Sequence, residues 1–338
     1  MDSTTITCSN PDCDVAATQR CVEGLELSLC PHYGKPPPDR STSADSAEET
    51  ALTAPKAILL RAANTLTIAQ AADVRRARQS RVVAVVGSQE AGKTSLIVSV
   101  YDLFQRGPVG PIRFGRSLTM HAFEETCHDA RDASRRGLPH TERTQRGEVR
   151  FYHLEIAPPN ETQPITLLLA DRAGEEYDNA TDNHDRVEFP EIRSADTITV
   201  LVDGDRLQDS KTRHLVLSKI PLLVRVLVES GMTNDRQHLA LVLTKGDAVQ
   251  HSPNAGRALG DFETLAANVA GRFDSCFATI ATYRVAASPK TADIQRGTGV
   301  AEVLTFWLQP QRAPITTLPS TISTDRMMAE LRAAGTAL

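Results

Sequence analysis

The chain has 338 residues, 41% apolar and 23% charged, which is enough for a core of ordinary size and for two domains or one large domain with appendages. A single small module and a wholly disordered chain are excluded. Lys and Arg number 37 against 42 Asp and Glu, a net charge of −5, so the basic excess that phosphate-backbone binding requires is missing and nucleic acid is not expected as the main partner. No apolar run approaches the roughly 18 residues that span a bilayer, and MDSTTITCSNPDCDVAATQR lacks the apolar core of a signal peptide. No transmembrane segment and a soluble, cytoplasmic protein are expected.

Cys8, Cys13, Cys21 and Cys30 fall within the first thirty residues, with His32 just after them. Cytosolic thiols clustered in this way are more often zinc ligands than disulfides, because a segment of about thirty residues cannot form a stable core without a metal. Residues 1–33 therefore read as a small Zn2+-binding module that uses four of these five side chains; unligated thiols are the alternative, since standard two-residue spacing is absent. The Cys30, Pro31, His32 end resembles the closing half of B-box-like zinc modules. Cys127 and Cys276 stand alone in segments that read as helix or strand, where a thiol behaves as a small buried hydrophobe.

Residues 34–54 combine a proline triplet with Ser, Thr, Asp and Glu and carry no apolar periodicity, the composition of a linker. Residues 55–80 place apolar side chains at helical spacing and are expected to form a connecting helix. From residue 81 the pattern changes to short apolar runs separated by amphipathic stretches, the signature of a mostly parallel sheet with helices on both faces. Strands are expected at 81–87, 148–156, 165–171, 197–205, 238–247 and 278–288, the second as an antiparallel edge, and helices at about 93–105, 207–230, 257–274 and 299–308. This α/β domain runs from 81 to 310, and the tail 311–338 holds one short helical stretch from Ser323 to Leu331.

Gly87, Ser88, Gln89, Glu90, Ala91, Gly92, Lys93, Thr94 satisfies the P-loop pattern, two glycines with four residues between them followed by Lys and Thr, directly after a strand and at the start of a helix. The glycines let successive NH groups, continuing to Ser95, face phosphate oxygens, and the helix start adds partial positive charge. Lys93 is expected to reach the outer phosphates and the Thr94 hydroxyl to hold Mg2+. Asp171, Arg172, Ala173, Gly174 closes an apolar strand at its carboxyl end, where ligands bind in open sheets. Asp171 can hold magnesium through water there, and Gly174 can offer its NH to a γ-phosphate. At the fifth strand, Thr244, Lys245, Gly246, Asp247 supplies a Lys stem to cover a base and a carboxylate able to accept both NH groups on one edge of guanine, a donor pair that adenine lacks.

These elements, over about 81–310, resemble in their order the Ras-like P-loop GTPases of the translation-factor-related class. The loop Gly87 to Thr94 is similar to that family's phosphate motif, Asp171 to Gly174 to its DxxG motif, and Thr244 to Asp247 to its NKxD motif with Thr in place of Asn. By the same resemblance, Ala287 in the run VAAS would offer its NH to the base oxygen. The cysteine module, the long insert and the run DRAGEE resemble the bacterial double-GTPase proteins of conflict systems. The resemblance implies GTP and Mg2+ as cofactors, GTP hydrolysis, and a switch acting on an unidentified effector or activating protein.

Departures bear on mechanism. Glu175 stands where Ras-like enzymes place the Gln that orients attacking water, so unaided hydrolysis is expected to be slow. Asp171 lies 78 residues after Lys93, and the insert offers two candidates for the family's switch threonine, Thr141 and Thr144. Arg143, Arg146 and Arg172 are candidates for an in-chain arginine at the transition state. A GTP-dependent interaction module without useful hydrolysis, and a P-loop ATPase or kinase, are the competing readings.

Overall fold

A computed structural model describes residues 8, 9, 15, 19, 21, 26–35, 63–130, 147–159, 163–183, 188–291 and 293–310. The chain divides into two compact units, Met1–Leu59 and Leu60–Leu338. In the first, Leu27–Leu29 form one 3-10 turn and the backbones of Cys8 and Tyr33 make an antiparallel bridge.

The second unit is built on seven strands: β1 Ser80–Val86, β2 Arg113–Arg116, β3 Val149–Ala157, β4 Ile165–Arg172, β5 Thr197–Asp203, β6 His238–Thr244 and β7 Thr279–Arg284. They form one sheet in the order β2-β3-β4-β1-β5-β6-β7, parallel from β4 through β7, with β2 and β3 antiparallel. The β3 run was expected to be the edge; it is antiparallel but lies inside, and the edge is β2. RFGR is four residues long, mostly exposed and contains a glycine, so no apolar alternation announces it.

The helices are α1 Ile68–Ala77, α2 Lys93–Gln105, α3 Met120–Ala130, α4 Gly174–Asn183, α5 Pro190–Ser194, α6 Gly204–Gln208, α7 Arg213–Glu229, α8 Gly246–Gln250, α9 Ala255–Phe273 and α10 Val300–Trp307. Period-two alternation sends neighbouring strand residues into different layers. Val83 and Val85 join Leu167, Leu169 and Val242 under α2, α3 and α10, whereas Ala84 and Val86 join Ile198, Val200 and Leu241 under α4, α7 and α9. Both faces of the central strands are covered, hence their near-continuous apolar sequence. Where a connecting helix was expected over 55–80, α1 begins at Ile68, stopped upstream by a capping box in which Thr67 and Gln70 satisfy each other's backbone NH groups. Among the described residues no helix is long and apolar enough to cross a membrane.

The parallel register brings the carboxyl ends of β1, β4, β5 and β6 to one edge of the sheet, with Asp171 opposite Val85 and Thr244 opposite Asp203. Chemistry-bearing side chains collect there.

Candidate functional site

At one end of this edge, β1 runs into Gly87 and the chain turns back through Glu90 and Gly92, both at positive φ, before α2 begins at Lys93. Gly92 has φ +93, a conformation that L side chains rarely adopt. The Lys93 ammonium is buried and donates to the carbonyls of Gly87 at 3.0 Å and Ser88 at 3.1 Å. Burial lowers its pKa, opposed by the charges of Asp171 and Asp178. Thr94 Oγ1 donates to Asp171 Oδ2 at 2.8 Å, joining α2 to the end of β4. Gly174 lies hard against this loop: a Cβ there would stand 2.6 Å from Lys93 Nζ and collide with the backbone of Ser88 and Gln89. Only glycine lets the tetrad that starts at Asp171 reach the loop.

At the other end, Thr244 is buried and its hydroxyl lies 2.8 Å from the Ala91 carbonyl and 3.3 Å from that of Val202. The side chain thus ties the β6 tetrad directly to the candidate phosphate loop. Lys245 takes a left-handed backbone, φ +53, and its ammonium donates to Asp203 Oδ2 at 2.8 Å. Asp247 is buried, and its Oδ2 accepts from the Lys290 NH at 3.0 Å. Gly246 NH donates to the Val285 carbonyl at 3.0 Å, so the segment Val285–Lys290, including buried Ala287, packs onto the tetrad. His251 extends the same cluster, its Nδ1 2.8 Å from the Asp247 carbonyl and its Nε2 2.7 Å from Asp293 Oδ2.

The loop after β1, the Asp at the end of β4 and the tetrad at the end of β6 therefore share one edge, linked by Thr94–Asp171 and Thr244–Ala91. The family model for Double-GTPase 2 matches residues 81–308. The chain belongs to the Double-GTPase 2 family. It therefore carries a GTPase domain of the P-loop type. Among curated proteins, none matches. Among solved structures, the Double-GTPase 2 chain is similar to Methanosarcina barkeri Roco2 RocCORdC bound to GDP, at 15% identity and a TM-score of 0.32, covering 68% of this chain and 49% of that one.

Arg172 sits inside the DxxG tetrad, and its guanidinium is engaged by neighbouring carboxylates. It is buried, donates to Glu191 Oε1 at 2.6 Å and Oε2 at 3.0 Å and to Glu176, and lies over the Phe189 ring. Burial alone would pull its pKa down, but the hydrogen bonds and charge of Glu191 outweigh that and hold it raised. A guanidinium so engaged ties β4 to α4 and α5, which removes it from the candidates for an in-chain arginine at the transition state. Arg143, Arg146, Thr141 and Thr144 lie outside the described residues.

Asp203, which sequence spacing did not single out, organises the neighbourhood of the β6 tetrad. It is buried, caps α6 through the NH groups of Asp205 and Arg206, and receives Lys245. Its signal was a carboxylate at the carboxyl end of a central apolar strand, the criterion that identified Asp171. Asp178 on α4 was also missed; it accepts from Ser88 Oγ at 2.8 Å and from Gln89 NH at 3.3 Å.

The zinc reading of residues 1–33 is not supported among the described residues. The Cys21 and Cys30 sulfurs are 3.9 Å apart, near the separation of two thiolates on one tetrahedral zinc, about 3.8 Å for bonds of about 2.3 Å. His32 Nδ1 lies 3.2 Å from Ser9 Oγ instead. Among the described residues no group of three or more His, Cys, Asp or Glu gathers to hold a metal ion, and Cys13 lies outside them.

Proposed function

We propose that this chain binds GTP along the edge formed by β1, β4, β5 and β6 and hydrolyses it slowly, acting as a cytoplasmic nucleotide-dependent switch on a partner protein. The observation that carries the reading is the bond from Thr244 Oγ1 to the Ala91 carbonyl, which fixes a base-reading tetrad to a phosphate loop at one separation. In this reading Asp247 accepts the guanine N1 and N2 hydrogens, the Lys245 stem covers one face of the base, and Ala287 offers its NH to the base oxygen. The NH groups from Ser88 to Ser95 face the phosphates, and Lys93 exchanges its two carbonyl partners for phosphate oxygens.

Thr94 and Asp171 present a hydroxyl and a carboxylate 2.8 Å apart, hard oxygen donors that fit Mg2+. These residues would hold it, and when bound it supplies neutralisation of charge on the β- and γ-phosphate oxygens. Gly174 NH donates to the γ-phosphate, and Thr141 or Thr144 is the switch threonine of this reading. Water attacks the γ-phosphorus, the bond to the β–γ bridging oxygen breaks, and GDP and phosphate leave. Glu175 carries a negative charge where a neutral Gln would orient that water, so the step is slow until a partner supplies what is missing.

Glu175 equally favours a second reading, a GTP-dependent interaction module without useful hydrolysis. Single-turnover hydrolysis measured beside GTP affinity separates the two. Slow but complete turnover supports the switch, and tight binding without phosphate release supports the module. A preference for ATP would replace both with a P-loop ATPase. For residues 1–33, zinc held by four of Cys8, Cys13, Cys21, Cys30 and His32 rests on their clustering in the sequence and on the approach of Cys21 to Cys30. Metal analysis of the full chain, purified without chelator, tests it.

A further inference from the structure

Asp178 lies one turn after Gly174 on α4, and the face that carries it meets the phosphate loop. Its two carboxylate oxygens take separate donors there, the Ser88 hydroxyl at 2.8 Å and the Gln89 backbone NH at 3.3 Å. At the same oxygen that accepts from Ser88, Lys219 Nζ from α7 stands 3.5 Å from Asp178 Oδ1, and it lies 3.2 Å from Asp182 Oδ1. The carboxylate is thus an anion held by a hydroxyl and a backbone NH of a glycine-bounded loop, with a cation beside it. Loops of this kind bind anions through NH groups, and a carboxylate and a phosphate oxygen compete for the same donors. The Ser88–Gln89 part of the loop is also where Gly174 rests, so this is the end that faces a terminal phosphate.

We propose that Asp178 is an internal competitor for the γ-phosphate: it occupies the Ser88–Gln89 end of the loop, and a triphosphate must displace it, and α4 with it, in order to bind there. Lys219 is the counter-ion that keeps the displaced carboxylate, between α4 and α7. This rests on the guanine-nucleotide reading above. The competition makes the protein discriminate against GTP relative to GDP, because GDP brings no group to that end.

The test compares wild type with Asp178→Asn, which removes the charge and keeps the shape, by equilibrium titration with GTP, a non-hydrolysable GTP analogue, GDP and ATP. The variant is expected to bind GTP and the analogue about tenfold more tightly, the value of one charge-assisted hydrogen bond in competition, and GDP within about a factor of two. No gain for GTP, or an equal gain for GDP, overturns the proposal. On wild type, hydrogen exchange across residues 174–183 is expected to be faster with the analogue than with GDP, and equal exchange overturns it without any variant having to fold. An ATP preference with the Asp178→Asn gain intact refutes the guanine reading and leaves the competition standing; a GTP preference with no gain does the reverse.

Discussion

The two ends of the site are held together by opposite means. At the end proposed to read the base, the side chains are held by one another and by nearby backbone groups. Asp247 is fixed by the Lys290 NH, Lys245 by Asp203 and Thr244 by the Ala91 carbonyl. At the phosphate end the groups that would meet a ligand are spent on each other. Lys93 is on two carbonyls, Thr94 on Asp171, and Ser88 and Gln89 on Asp178. A preorganised base end gives selectivity at little cost in ordering, whereas the phosphate end must exchange internal bonds for external ones. Base choice should therefore be robust, and affinity for the phosphates open to tuning.

Lys93→Ala attacks the phosphate end hardest. Losing two or more charge-assisted bonds to phosphate is worth roughly 4 kcal/mol, on the order of a thousandfold in GTP affinity. Unchanged binding in calorimetric titration would remove the phosphate-loop assignment. Asp247→Asn attacks the base end, placing a donor against guanine's donors at a cost of roughly 2 to 4 kcal/mol, about thirty-fold to several-hundred-fold. Xanthine carries a carbonyl where guanine carries its amino group, so XTP should bind this variant better than GTP. Equal GTP affinity in wild type and variant would contradict the role given to Asp247.

Thr244→Val cuts the tie between the ends while preserving shape, leaving the buried Ala91 carbonyl without its 2.8 Å donor. The cost is about 1 to 2 kcal/mol, seen as a lower melting temperature and roughly tenfold weaker GTP binding. If GTP affinity held while stability fell, the two ends would be independent. The smallest effect belongs to His251, which joins Asp247 to Asp293 from the surface. The backbone carbonyl of Asp247 and the Asp293 carboxylate raise its pKa, so the protonated bridge is present at pH 6 and is lost as pH rises through the folded value. GTP affinity should fall between pH 6 and 8, within about a factor of three, and the slope should vanish in His251→Gln.

The parallel core could be read from the amino-acid order alone, and the same order nominates the residues proposed for both ends of the site. Buried strands such as ITLLLAD and HLALVLTKGD declare themselves by unbroken apolar runs, and the residues at their carboxyl ends are fixed by covalent adjacency. Gly87 to Thr94, Asp171 and Asp247 were legible for that reason. Edge strand β2 was not, because four mostly exposed residues pair only with β3 and carry no pattern. Helix α4 was not, because Gly, Asn, Asp and Thr are poor helix formers and the helix stands through the packing of Tyr177 and Ala180 on the sheet. The partners of single side chains were the least legible of all. Spacing assigns no partner to Arg172 or to Asp178. It is the docking of α5 that brings Glu191 to Arg172, 19 residues before it, and the docking of α4 that lays Asp178 against Ser88, 90 residues back. Long-range contacts of this kind follow from which elements share a layer, a property of the assembled sheet and not of any local run of sequence.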